Sequence, residues 1–176
     1  YIQDGLWKIR LIPEEIRDGQ YDLWLPSENV LNRGTGFLYP DEEVTLTIPS
    51  TAEKVISVGA YDALTFSYAS FSGRGYTWQD ERTKPDLVAP GVNVRTTAVG
   101  GGVTVVSGTS FATPFVTGAS ALLMEWGIIR KNDPYLYGER IKAYFHKGAR
   151  KMNGFLDYPN NEIGYGKLCV AASLYN

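Results

Sequence analysis

The stretch Gly108-Thr109-Ser110-Phe111-Ala112-Thr113-Pro114 constrains the fold most, because it carries the backbone from a glycine turn directly into an apolar run. Gly108 turns without a side-chain clash, Ser110 sits where the first amides of the next helix have no partner, and Pro114 suits a first helical turn, which needs no amide donor. Residues 113–126 read as a buried helix. Gly118, Ala119 and Ala121 leave one of its sides narrow, so that it can lie close on a sheet with Ser110 at the sheet edge. Two readings of Ser110 are open on this pattern alone. It is a helix cap, a position serine favours in any protein. Or it is a nucleophile beside unpaired amides that stabilise an oxyanion, the largest single contribution to many acyl transfers.

The surrounding pattern is α/β. Residues 44–48, 55–58, 86–89 and 103–106 read as strands, the last two short. Gly100, Gly101 and Gly102 lack the Gly-Lys-Ser/Thr ending of a phosphate loop and are expected to form a hairpin turn. An α/β-hydrolase nucleophile needs Gly-x-Ser-x-Gly, and Ala112 breaks it. Residues 6–12 and 16–25 alternate apolar and polar side chains around Asp18-Gly19, which predicts an antiparallel β segment. The expected division is therefore a β segment over 1–40 and an α/β part over 41–176, with 34–36 and 40–43 as linker. Glu42 and Glu43 read as solvated acids.

Composition removes several functions. The 17 basic and 19 acidic residues leave a net charge of -2 without a basic run, so nucleic acid is not an expected partner. No stretch approaches the roughly 18 continuous apolar residues expected of a membrane span, and 44% hydrophobic content suffices for one core. Cys169 is the only cysteine, which excludes an intrachain disulfide and a pair of metal-binding thiols; its apolar neighbours predict a buried, inert thiol. His146 is the only histidine and falls on an amphipathic helix with Ile141, Phe145 and Ala149 inward. It reads as a solvated or satisfied side chain rather than a base.

Gly108 to Pro114, followed by Phe-Val-Thr-Gly-Ala-Ser-Ala-Leu-Leu-Met-Glu-Trp, resembles the nucleophile segment of the subtilisin-like serine proteases, with Phe111 where the usual form has Met. Four further segments resemble that family in order: 48–60, 69–75, Lys84-Pro85-Asp86-Leu87-Val88-Ala89-Pro90-Gly91, and Gly164-Tyr165-Gly166-Lys167-Leu168. The resemblance implies the C-terminal part of a subtilisin-like parallel-sheet sandwich, preceded here by the antiparallel β segment. It implies an endopeptidase acting on protein or peptide substrates through an acyl-enzyme at Ser110, with the Ser110 amide as an oxyanion donor. Thr109 is implied as oxyanion support, and Val106, Ser107 and Phe111 as residues of the substrate cleft. Asp86 is implied to be structural. No cofactor or metal site is implied by these residues; relatives often bind structural calcium, but no carboxylate cluster in this sequence names a site.

The family's Asp and His motifs precede the serine and do not occur here. The chain, which starts at Tyr1 without a leader, is thus expected to be a C-terminal portion, silent by itself and partnered by the missing N-terminal part. A pseudoprotease or an interaction module on the same fold is the alternative, which the upstream Asp and His motifs would separate. The wording Trp-Leu-Pro, Thr-Ile-Pro-Ser-Thr-Ala and Leu-Leu-Met-Glu-Trp-Gly-Ile resembles the germination-protease branch of spore-forming bacteria. That branch implies a cytoplasmic or spore-associated location rather than secretion, and makes residues 1–40 resemble the end of an inserted β-sandwich; the other reading of this segment is an ordinary hairpin of the protease core.

Overall fold

A computed structural model describes residues 3–26, 30–76 and 82–174, in two compact units, 1–40 and 41–176. In the first unit no strand forms among the described residues. The Asp18-Gly19 turn is present, its Gln20 amide donating to Asp18 Oδ1 at 3.2 Å. The flanking alternation does not become a ladder: Leu6, Trp7, Ile9, Leu11, Tyr21 and Trp24 are all exposed. A lone two-stranded ribbon without a third strand or a packed face is marginal in water, which is the physical reason this antiparallel expectation is not met within the unit.

The second unit is built around β1 (Val58–Asp62) and β5 (Leu87–Pro90), which run parallel with Ala60 opposite Ala89. β2 (Ser67–Tyr68) pairs antiparallel with the far end of β1, giving the order β2-β1-β5. β3 (Gly75–Tyr76) pairs with β4 (Thr83–Lys84), and β6 (Val94–Thr97) with β7 (Val103–Val106), both antiparallel. Gly100, Gly101 and Gly102 turn that last hairpin with φ of 83, 103 and 85°. The helices are α1 (Thr109–Met124), continued by a π-helical turn Glu125–Ile129, then α2 (Gly138–Gly148) and α3 (Val170–Leu174).

The alternation of β5 separates two apolar clusters. Leu87 and Ala89 join Ala60, Val116, Leu123, Ile141 and Phe145 on one side. Val88 joins Tyr61, Met152 and Ile163 on the other. Side chains on successive strand residues point to opposite faces, so a strand covered on both sides must be apolar throughout, as this one is. The Gly164–Leu168 segment closes the edge of β5: Val88 donates to the Gly166 carbonyl at 3.0 Å and Leu168 donates to the Val88 carbonyl at 2.9 Å.

Several boundaries differ from the sequence pattern, and three have a visible cause. Residues 44–48 form no strand, because Val44 adopts φ 53° and leaves the extended region at the first position. β1 starts at Val58 rather than 55, since the Ser57 amide donates to the Asp86 carboxylate at 2.7 Å instead of to a strand neighbour. α1 starts at Thr109 rather than 113 and is only half covered: Ala112, Val116, Ala119 and Leu123 are buried, while Phe115 is 44% and Leu122 53% exposed. Of the three small residues expected to face the sheet, only Ala119 does; Gly118 and Ala121 lie on the exposed side. Residues 109–129 are long and apolar enough, by length and composition, to cross a membrane, contrary to the composition reading, but a core helix passes the same test. One face of this helix lies in the core.

Candidate active site

β1 and β5 end together, and the chain leaving β5 meets the start of α1. Gly91 donates to the Tyr61 carbonyl at 3.0 Å, and its own carbonyl accepts the Gly108 amide at 2.8 Å. A Cβ on Gly91 would lie 2.5 Å from Ala60 Cβ, so only glycine lets these backbones approach. Gly108 caps α1 with φ 150° and ψ 156°, a conformation that also favours glycine, and no side chain caps the helix. Ser110 is then the second helical residue, and it is exposed. Its hydroxyl is not consumed by capping, and no described residue hydrogen-bonds to it. Its amide belongs to the first turn, whose N–H groups have no partner within the helix. Ligand sites of open parallel sheets lie at such carboxyl ends of strands.

Pro114 falls in the second turn of α1, not the first. Its ring leaves the Ser110 carbonyl without the usual amide four residues on. Phe111 donates from its backbone to the Gly108 carbonyl at 3.0 Å, and its ring stands against the Gly108 backbone, 3.4 Å from where a Cβ would be. Thr109 is half-buried, and its carbonyl accepts the Thr113 hydroxyl at 3.1 Å. Val106 is half-buried and pairs with Val94. Ser107 is exposed with its Oγ accepting the Asn93 amide at 2.9 Å. The sequence reading missed Asn93, which holds φ 52°. Asparagine tolerates that left-handed region better than other side chains, and this was the available signal.

The opposite end of β5 holds a different cluster. Asp86 is 2% exposed and receives Lys84 Nζ at 2.8 Å on Oδ2, Lys142 Nζ at 2.8 Å on Oδ1, and His146 Nε2 at 3.2 Å on Oδ1. Burial pushes the Asp86 carboxyl up, but the bonds from His146, Lys142, Lys84 and the Ser57 amide together outweigh it and hold the group down at about 2. Burial lowers the Lys84 ammonium from its ordinary value despite that pairing. Tyr165 stacks on the His146 ring at 3.8 Å, 8° from parallel. Asp86 and Gly91 are five residues apart, roughly 16 Å at about 3.3 Å per strand residue. His146 is therefore a satisfied side chain at the foot of β5, remote from Ser110 at its head.

Cys169 differs from the buried, inert thiol expected. It is half-buried, and its thiol is held below its ordinary value by the Ala172 amide, against burial, with help from the Arg150 side chain. Among the described residues no group of three or more His, Cys, Asp or Glu side chains is gathered in a way that could hold a metal ion.

The profile of the subtilase family, Peptidase_S8, matches residues 38–166, and the chain belongs to that family. It is 33% identical over 132 residues to the serine protease AprX of Bacillus subtilis, covering 64% of this chain and 28% of that protein. It is 36% identical over 129 residues to the human membrane-bound transcription factor site-1 protease, covering 70% of this chain and 12% of that protein. A solved structure of the Clostridium perfringens CspB protease shares 51% of its sequence and superposes with a TM-score of 0.78, covering 82% of this chain and 30% of that one. The prenylagaramide maturation protease PagA follows with 30% identity and a TM-score of 0.62, over 76% of this chain and 46% of that one. The fold is subtilisin-like, and the chain spans less than a third of AprX and of the CspB structure.

Proposed function

We propose that this chain carries the nucleophile side of a subtilisin-like serine endopeptidase, with Ser110 attacking the scissile carbonyl of a protein or peptide substrate to form an acyl-enzyme. The observation that carries the reading is the Ser110 hydroxyl, engaged by no described residue, on the first turn of α1, where the helix is capped by Gly108 and not by the serine. The unpaired Ser110 amide and the positive helix end lie beside the same oxygen, which suits stabilisation of the developing oxyanion. Thr109 supports that oxyanion, and Val106 and Phe111 border the cleft. The general base is a histidine in a part of the parent protein outside these residues, oriented there by an aspartate, since the only histidine here is engaged by Asp86. The bond chemistry is that of acyl transfer. The serine proton passes to the base as Oγ bonds the carbonyl carbon, the amine leaves with that proton, and water then hydrolyses the ester. The narrower membership, in the germination-type branch, rests on the wording of the three segments quoted above.

The test is Ser110→Ala in the complete parent. Removal of the hydroxyl is expected to lower kcat by roughly a millionfold, the loss seen when subtilisin itself is stripped of its serine, with the folded state unchanged. Near-normal peptidase activity in that variant would end the reading; a wild-type parent that neither cleaves peptides nor acylates would mark a pseudoprotease.

A further inference from the structure

The β6–β7 ladder does not stop at its last backbone pair. Val94 lies opposite Val106, so Asn93 and Ser107 are the next pair in register. Asn93 has turned to φ 52° and cannot continue as a strand. Its amide meets the Ser107 side chain instead, donating to Oγ at 2.9 Å. Two residues back along one strand and one forward along the other, Gly108 donates to the Gly91 carbonyl at 2.8 Å. The two bonds together hold residues 107 and 108 against 91–93 immediately before the helix begins.

We propose that Ser107, through its hydroxyl bond to the Asn93 amide, is a positioning residue for Ser110 rather than a residue that binds substrate. The inference rests on the reading of Ser110 as nucleophile. Two residues separate the Ser107 anchor from Ser110, and one of them is Gly108, whose backbone has more freedom than any other type. A segment so loose needs a second tether if the Ser110 Oγ is to emerge in one direction. Gly91 supplies the inner tether, so closely packed that a Cβ there would lie 2.5 Å from the Ala60 methyl and 3.4 Å from the Ala112 methyl; Ser107 supplies the outer one. The Ser107 bond is exposed, so water competes for both of its partners and it contributes little to stability. Its effect falls on orientation, where a displacement of about 1 Å can cost a hundredfold in rate.

The experiment compares Ser107→Ala and Ser107→Thr in the complete parent, following kcat and KM on a peptide substrate and the rate of covalent labelling by a fluorophosphonate. Ser107→Ala is expected to lower kcat and the labelling rate about tenfold with KM unchanged within about twofold. Its melting temperature is expected to move by no more than roughly 2–4 °C. Ser107→Thr keeps a hydroxyl at the same branch point and is expected to restore both rates. A raised KM at constant kcat would show that Ser107 touches substrate, and unchanged rates in Ser107→Ala would show that it positions nothing; either overturns the proposal. Amide exchange provides the readout independent of catalysis, because loss of the tether is expected to speed exchange over 91–93 and 107–111. A parent that is never labelled removes the nucleophile reading, whereas unaltered exchange in Ser107→Ala removes the tether itself.

Discussion

His146 Nε2 lies 3.2 Å from Asp86 Oδ1, so the only imidazole of the chain is committed to the foot of β5 while Ser110 stands at its head. The same carboxylate gathers Lys84 from β4 and Lys142 from α2. Lys142 also donates to the Glu53 carbonyl at 2.9 Å, so one side chain joins α2, the segment before β1 and the entry to β5. The ends of the strand that leads towards Ser110 are thus fixed by different means: charge at one, glycine contact at the other.

The first prediction concerns acid. Asp86 has its folded value depressed to about 2, below the ordinary value near 3.9, so it contributes stability that is fully present above about pH 4 and is lost as pH falls from 4 through 2. The contribution is on the order of 2 kcal/mol. Asp86→Ala leaves the buried Lys84 and the Lys142 ammonium without their counter-ion and is expected to cost about 3–5 kcal/mol at pH 7. Denaturant unfolding at pH 7 and pH 2.5 checks both statements. A wild type equally stable at the two values, or a variant that keeps the acid loss, would contradict the assignment to Asp86.

The second prediction uses Phe111, the residue after Ser110, whose ring lies 3.4 Å from where a Cβ on Gly108 would be. Peroxide converts a methionine at such a place to a polar sulfoxide, whereas a phenyl ring offers no such step. The parent is expected to retain activity in peroxide, and Phe111→Met to lose it in proportion to sulfoxide formation by mass. Equal loss in both proteins would mean that the ring does not adjoin the site.

What the sequence made legible follows from distance along the chain. Gly108, Ser110 and the apolar run after them are neighbours, and local backbone rules placed the serine on a helix start; the start moved by four residues because Gly108 caps the helix itself, which carried Pro114 into the second turn. The GlyGlyGly hairpin was legible for the same reason. Asp86 and His146 are 60 residues apart and Asp86 and Ser57 are 29 apart, so no local pattern could show a shared carboxylate. The strand read over 44–48 failed at one dihedral, that of Val44, and the alternation over 6–25 marks potential strands without supplying a partner. Ser107 was singled out in the sequence through family likeness alone, and its bond to Asn93 depends on a left-handed turn that composition does not announce.

A third prediction concerns Cys169. The Ala172 amide favours the thiolate, burial opposes it, and the Arg150 side chain adds to the lowering. Alkylation by iodoacetamide is expected to reach half its maximal rate at a pH below the roughly 8.5 of a free thiol, and Arg150→Gln to move that midpoint upward. A midpoint at or above the free value, or one indifferent to Arg150, would contradict the electrostatic account.

The fourth prediction turns on the uncovered face of α1. Phe115 and Leu122 lie one above the other at a spacing of seven residues and are 44% and 53% exposed, about 100° round the helix from the buried Val116 and Leu123. Apolar surface of this kind drives association, so the 176-residue chain alone is expected to self-associate in light scattering. Replacing both residues, as Phe115→Ser with Leu122→Gln, is expected to reduce that association without lowering helix content. A monodisperse monomer for the unaltered chain would show that this face needs no cover.

The last prediction is that the chain alone does not acylate. An alcohol such as that of Ser110 is a weak nucleophile at neutral pH unless a base within hydrogen-bond reach removes its proton. His146 cannot serve, because its Nε2 is bound to Asp86, its ring is stacked on Tyr165, and the strand between Asp86 and Gly91 separates the two sites by roughly 16 Å. A helix end stabilises an oxyanion once one is formed but does not generate an alkoxide. Incubation of the chain and of the complete parent with a fluorophosphonate, followed by intact mass, is expected to give one adduct on the parent and none on the chain over the same interval. His146→Gln is expected to leave the parent's labelling rate unchanged within about twofold, since the residue acts at the far end of β5. Stoichiometric labelling of the chain at Ser110, abolished by His146→Gln, would show that a base does lie within these residues and that the two ends of the strand communicate more closely than the geometry allows.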